Sequence, residues 1–429
     1  MSTVMMASFL ALILVGVPIA FAMGLATLAA IFAQGSMPYS LLAQRALVGA
    51  DSYALLAIPF FILAGNLMNN GGITERIINF ANSAVGRFRG GLAQTTVLAT
   101  MIFSGISGSA VADASALGKV LIPAMKKQGY GGPFAAALMA SASVCGPIIP
   151  PSIPMVIYAL AVGKGVSIAA LFLGGIVPGL MLGGSLMLMA YIISVRRNFP
   201  VFETVPWREI PKRLVPAIPA ILTPVIILLG VTAGIVTVTE SAAVAVLYAL
   251  FVGILLYRQL KWSDIFPILK QTALDTALVM FIIAMASGFG YLMAISGLPR
   301  ATAAWISSIT TNPLGILMAI NVLLLIVGCF MEAIAALLIL VPVLVPVVQA
   351  VGIDLTHFGL VMVFNLMLGL LTPPVGILLY ICANFAEVKL EDEIREVMPF
   401  LAMGLVVLFL ITVFPELVLW VPRFVLGSV

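Results

Sequence analysis

Two polar, helix-breaking islands interrupt residues 104–154, a stretch that is otherwise apolar. The first is Ser104-Gly105-Ile106-Ser107-Gly108-Ser109, with Asp113 just after it. The second is Gly146-Pro147-Ile148-Ile149-Pro150-Pro151-Ser152-Ile153-Pro154. Residues 5–33, 218–238 and 401–421 are apolar runs long enough to cross a bilayer. The whole chain is 63% hydrophobic and 8% charged, whereas soluble domains carry about 25% charge. None of the apolar segments alternates, so a β-barrel is excluded. The fold class that remains is an all-α polytopic membrane protein. At membrane depth, backbone that leaves the helix must be satisfied by protein or by a water-filled cavity. The two islands therefore predict a site that offers free carbonyls and hydroxyls to a cation.

The second half repeats this layout. Adding 223 carries Gly105 to Gly328, Pro123 to Pro346, Gly129 to Gly352, Gly146 to Gly369, Pro150 to Pro373 and Pro151 to Pro374. Roughly one such match is expected by chance from ordinary Gly and Pro frequencies. Six at one offset mark an internal repeat.

Taken in order, residues 5–33 break at Gly16-Val17-Pro18 and form one kinked span or two short ones; repeat symmetry favours two, with the N-terminus outside. A span at 53–68 follows. Residues 69–90, with Glu75, Arg76, Arg87 and Arg89, read as an interfacial helix. Residues 91–125 suit a re-entrant helical hairpin, and 134–162 a broken span. Then come a span at 167–195, a basic segment at 196–214, spans at 215–237 and 241–257, and a second basic segment at 258–270. A span at 272–295 precedes a polar segment, 296–312, whose one cation is Arg300. A second hairpin at 313–350, a broken span at 358–385, a charged loop at 386–396 and a last span at 398–421 complete the chain. The expected division is a first repeat, 1–195, a cytoplasmic linker, 196–214, and a second repeat, 215–429. With the linker in the cytoplasm, the count of spans puts Arg87, Lys126 and Lys261 there too and Arg300 outside. Five spans separate the hairpins, so the repeats are inverted.

At the first tip, Ser107 and Ser109 offer oxygens to a hard cation such as Na⁺; the alternative is hydroxyls bonded back to their own helix. Gly146, Ile149 and Pro151 offer carbonyls, because Pro147, Pro150 and Pro151 deny the helix its donors. In the second half Gly369, Thr372 and Pro374 occupy the same places and Gly376 follows, near Gly328. Glu332 is a ligand, a proton carrier or a cap. Asp113 is a functional intramembrane acid or a helix-dipole partner. Glu240 reads as an interface anchor, and Asp275 as a dipole partner in the first turn of its span. Cys145, Cys329 and Cys382 read as buried small hydrophobes, and His357 has no partner cluster for a metal. No phosphate loop is present, which argues against ATP and any organic cofactor, and no soluble domain supports nucleic-acid binding. No cleavable signal peptide is evident.

At these motifs the chain resembles the large membrane subunit of tripartite ATP-independent periplasmic (TRAP) transporters. The carriers are Gly-Val-Pro-Ile-Ala-Phe-Ala from Gly16, Pro59-Phe60-Phe61, residues 104–110, residues 146–151 and Leu371-Thr372-Pro373-Pro374-Val375-Gly376. The resemblance implies an elevator-type, Na⁺-driven importer of organic acids in the bacterial inner membrane: a sialic acid, a C4-dicarboxylate or a sugar acid. Its implied partners are a small four-helix membrane subunit, a soluble periplasmic binding protein and membrane lipid. One implied Na⁺ site comprises Ser107, Ser109, Gly146, Ile149 and Pro151. The other lies around Gly328, Gly369, Thr372 and Gly376, with Glu332 added as a candidate. Ser104, Asp113, Ser152 and Pro373 are the candidate substrate contacts. The competing readings are a stand-alone Na⁺/organic-anion symporter, an ion channel and a membrane-embedded enzyme. Paired broken spans favour an occluded site over a pore, and a single histidine limits acid–base chemistry.

Overall fold

The computed structural model describes residues 1–427 except 36, 164, 202–205, 207, 208, 298–311 and 374. The expectations for Arg300 and Pro374 lie outside the described residues. The first apolar run is two helices, α1 (Ser2–Leu14) and α2 (Ile19–Gln34), packed on each other. The chain turns between them because Gly16 takes a left-handed φ of +87° and Pro18 has no N–H to continue the ladder. Sequence reasoning missed α3 (Ser40–Ala50). It is too short to cross a bilayer and packs across α13 (Trp262–Ile295). A 3₁₀ turn, Tyr53–Leu56, leads into α4 (Ala57–Asn70). In α5 (Ile73–Val85), Ile73, Ile77 and Ala81 are buried and Glu75 is exposed, the expected amphipathic pattern.

The first hairpin is α6 (Gly91–Ser107) and α7 (Ala110–Lys127). The first broken span is α8 (Gly132–Ser143) and α9 (Ile153–Val162). After α10 (Ile168–Arg196) come α11 (Ile210–Thr232) and α12 (Val238–Leu250), which runs on through a π-helical turn, Phe251–Leu256. The second hairpin is α14 (Pro313–Phe330) and α15 (Ala333–Ala350), and the second broken span is α16 (Leu355–Gly369) and α17 (Ile377–Ala386). The chain ends in α18 (Leu390–Val413) and α19 (Glu416–Leu426).

Several boundaries differ from the sequence reading, and α11 begins at Ile210, inside the segment expected as a linker. α13 starts ten residues early (272 − 262), capped by the Asp264 carboxylate, which accepts from the Lys261 N–H at 3.0 Å. Asp275 is therefore well inside the helix, where it accepts from Gln271 at 2.9 Å, and it is no first-turn dipole partner. Hydropathy located the membrane-crossing part but not the polar turns that extend it. α18 likewise starts inside the charged segment, because Glu391, Asp392 and Glu393 suit the positive end of a helix. It stops at Val413, ahead of Pro415, and α19 is a separate helix. Glu240 belongs to an exposed capping box with Thr237, which agrees with its position beside a loop.

α8 packs on α17, and α9 packs on α16. The first half of each broken helix thus lies beside the second half of the other, and the two run antiparallel. α7 also reaches α17, and α15 reaches α9. Polar contacts mark the two ends of this group. At one, Lys126 Nζ donates to the Ala386 carbonyl at 2.6 Å, Arg197 pairs with Glu396 at 2.9 Å, and Arg89 pairs with Val201 through the backbone. Arg89, Lys126 and Arg197 thus lie at one end. At the other, the Tyr158 hydroxyl donates to the Leu355 carbonyl at 2.8 Å. Phe61, Phe103, Phe134, Phe358, Phe364 and Phe400 are fully buried in one continuous core. A second core joins Met5, Phe9, Met23 and Phe289 of α1, α2 and α13.

Candidate ion and substrate site

α6 stops at Ser107 because Gly108 takes φ +61°, a conformation that favours glycine. α7 restarts at once, with Ser109 Oγ accepting from the Ala112 N–H at 3.4 Å. The Ser109 hydroxyl is thus a cap. Ser107 has a different partner: its hydroxyl donates to Asp113 Oδ1. The Ser104 hydroxyl donates to Asp113 Oδ2 at 2.8 Å. Asp113 has no solvent exposure, and no basic side chain is paired with it among the described residues.

This tip seats against the first break. A Cβ added at Gly146 would lie 2.7 Å from Asp113 Oδ2 and 3.0 Å from the carbonyl carbon of Ser109. One at Gly108 would lie 2.7 Å from the Pro151 carbonyl oxygen. Only glycine allows such approach, and it brings Ser107, Ser109, Asp113, Gly146 and Pro151 together. In the break, the carbonyls of Gly146, Ile149 and Pro151 accept no hydrogen bond among the described residues, as the prolines predict. The Ile149 side chain packs towards α10, where a Cβ at Gly179 would lie 2.6 Å from its Cγ1. Ser152 opens α9: its Oγ accepts from the Met155 N–H at 3.3 Å and donates to the Pro147 carbonyl. The positive ends of α7 and α9 are both here.

Three of the candidate substrate contacts lie where the tip meets the first break, and the fourth does not. Ser104 and Asp113 bond to each other at the tip, Ser152 is closed within the first break, and Pro373 lies in the second.

The second half builds a related junction. Glu332 Oε2 accepts from the Ala335 N–H at 3.1 Å. Subtracting 223 returns positions 109 and 112, the pair that caps α7. Of the three roles open to Glu332, capping is the one its geometry performs. A Cβ at Gly369 would lie 2.6 Å from Gly328 Cα, so the hairpin and the break touch backbone to backbone. The Gly328 and Thr372 carbonyls accept no hydrogen bond among the described residues. The Thr372 hydroxyl donates back to Leu368 at 2.9 Å. Gly376, at φ +47°, holds its Cα close enough that a Cβ would stand 3.3 Å from the Thr372 carbonyl oxygen.

Sequence reasoning missed the polar support one turn before Gly369. Asn365 Nδ2 donates to the side-chain and backbone oxygens of Asn321, each at 3.0 Å. Asn321 Nδ2 donates to Thr412 Oγ1 at 2.8 Å. These bonds tie α14, α16 and α18 together. The available signal was two amides inside apolar spans, where polar groups are expensive.

Residues 6–417 match the family described as "Tripartite ATP-independent periplasmic transporter, DctM component". The chain is 43% identical to the sialic acid TRAP transporter large permease protein SiaM of Vibrio cholerae, over 98% of each chain. It is 40% identical to the C4-dicarboxylate TRAP transporter large permease protein DctM of Pseudomonas aeruginosa, over 87% of each. Its fold is like that of the YdaH transporter of Alcanivorax borkumensis, with a TM-score of 0.63 over 88% of each chain at 16% identity. The chain is a multi-pass protein of the bacterial inner membrane, and it belongs to the DctM family, the large permeases of ATP-independent TRAP transporters.

Proposed function

We propose that this permease imports a small organic-acid anion by Na⁺ symport. Asp113 carries the argument: it is a buried carboxylate held by two hydroxyls, beside a break whose carbonyls are unbonded and with no basic side chain paired with it among the described residues. A buried charge of this kind is stabilised by a counter-cation, and the surrounding oxygens are the donors that a hard cation requires. Asp113 belongs with the first Na⁺ site, Ser107, Ser109, Gly146, Ile149 and Pro151, because a carboxylate repels an anionic substrate. The backbone junction of Gly328, Gly369, Thr372 and Gly376 is the second. The two sites bring positive charge to the anion, and the positive ends of α7 and α9 add to it.

The antiparallel broken helices support inverted repeats, and with them an elevator motion of α6–α9 and α14–α18 against the remaining helices. By analogy with its relatives, the permease works with a small membrane subunit and a periplasmic binding protein, and it takes acids of the sialic acid or C4-dicarboxylate kind. The test is uptake into proteoliposomes containing those partners. A Na⁺ gradient alone should drive accumulation of the acid. Equal uptake with Na⁺ replaced by choline on both sides refutes the coupling.

A further inference from the structure

A cavity of about 360 Å³ separates α3 and α13 from α9 and α15. Gly49, Ser287 and Gly290 line one wall, and Ile157, Ala161 and Leu338 the other. It is distinct from both breaks. Among the described residues its polar side chains are the hydroxyls of Ser52 and Ser287, and no lining residue there is charged or carries an amide. A site for a small hydrophilic acid needs several convergent polar groups, and these walls do not supply them. In a bilayer they suit a hydrocarbon chain.

A cation stands beside it. Arg45 is three and four residues before Val48 and Gly49, which places it on the helix face that borders the cavity. Its guanidinium carbon lies 3.6 Å from the ring centroid of Tyr291, the neighbour of Gly290. That ring is its one partner among the described residues; it has no hydrogen bond or ion pair there. The ring covers one face of the guanidinium, and its N–H groups have no hydrogen bond among the described residues; such a fork can take a phosphate in bidentate fashion.

We propose that this cavity binds one acyl chain of an anionic phospholipid, with Arg45 holding the phosphate at the rim. The lipid bridges α3 and α13 to α9 and α15, so its presence affects how easily these helices slide past one another. The inference rests on the membrane-embedded fold and not on Na⁺ coupling.

The test is native mass spectrometry of the detergent-purified full chain, with added palmitoyl-oleoyl phosphatidylglycerol or phosphatidylcholine. One phosphatidylglycerol should remain bound per chain, in preference to phosphatidylcholine. Arg45→Gln should weaken the phosphatidylglycerol complex about tenfold, the loss of a charge-assisted contact, and weaken phosphatidylcholine less, because its choline cation already offsets the phosphate's charge. Ala161→Phe, which fills the cavity, should weaken both. If Ala161→Phe does not elute as a monodisperse species, the Arg45 arm still decides. Equal retention of phosphatidylglycerol by wild type and Arg45→Gln overturns the proposal. Displacement of the lipid by excess succinate also overturns it, and assigns the cavity to the transported acid.

Discussion

Replacing Asp113 with Asn removes one negative charge and keeps the side chain's shape. Two unit charges about 4 Å apart attract by roughly 4 kcal/mol at an effective dielectric near 20. Part of that is offset. Asn keeps an oxygen that accepts from Ser104 or Ser107, and an amide is cheaper to bury than a carboxylate. A net loss of about 1.5–3 kcal/mol in Na⁺ binding remains, the scale of a hydrogen bond to a charged group. That is roughly a ten- to hundredfold rise in the Na⁺ concentration for half-maximal uptake. The assay is uptake into proteoliposomes as a function of Na⁺, with Ser107→Ala beside it. Ser107→Ala removes one of the two donors to Asp113 and should shift the curve less. Ser185→Ala is the control, since that hydroxyl donates to the Leu182 carbonyl of its own helix at 2.7 Å. Because ion and substrate binding are coupled, the Asp113→Asn defect should shrink as Na⁺ is raised. Its melting temperature should not fall, since an uncompensated buried charge has been removed. Wild-type Na⁺ dependence in Asp113→Asn refutes the assignment. A lowered melting temperature with no rescue by Na⁺ makes Asp113 a structural dipole partner of α7 instead.

Gly369→Ala places a Cβ 2.6 Å from Gly328 Cα and should cost about 1–3 kcal/mol by overpacking, with loss of uptake. Gly184→Ala on α10, where a Cβ meets nothing within 4 Å, should be neutral in both thermal unfolding and uptake, and equal behaviour of the two variants removes the close-approach argument. Cysteines placed at Glu387 and Glu396, in a background lacking Cys145, Cys329 and Cys382, should label from the cytoplasm, and cysteines at Gly163 and Gly352 from the periplasm. Labelling of Gly352 and Glu387 from the same side contradicts the antiparallel reading of the broken helices.

The amino-acid order alone determined the class of the molecule and marked the segments where its helices are interrupted. Apolar length and clustered Gly and Pro are local causes, and they act the same way wherever the segment packs. It also located Ser107, Gly146 and Gly369 as places where helix must stop. Other features depended on partners remote in sequence. α3 has no span-length signal and exists because α13 gives it a surface. Asp113 was legible as an intramembrane acid, but its two hydroxyl donors and the approach of Gly146 come from folding the tip onto the break. Ser104 and Ser152 looked available to substrate until packing closed their hydroxyls inside the protein. The Asn321–Asn365–Thr412 bonds join three helices whose faces cannot be aligned from periodicity in sequences that are apolar all round. Which oxygens share a cation depends on distances between separate segments, and only tertiary packing sets those.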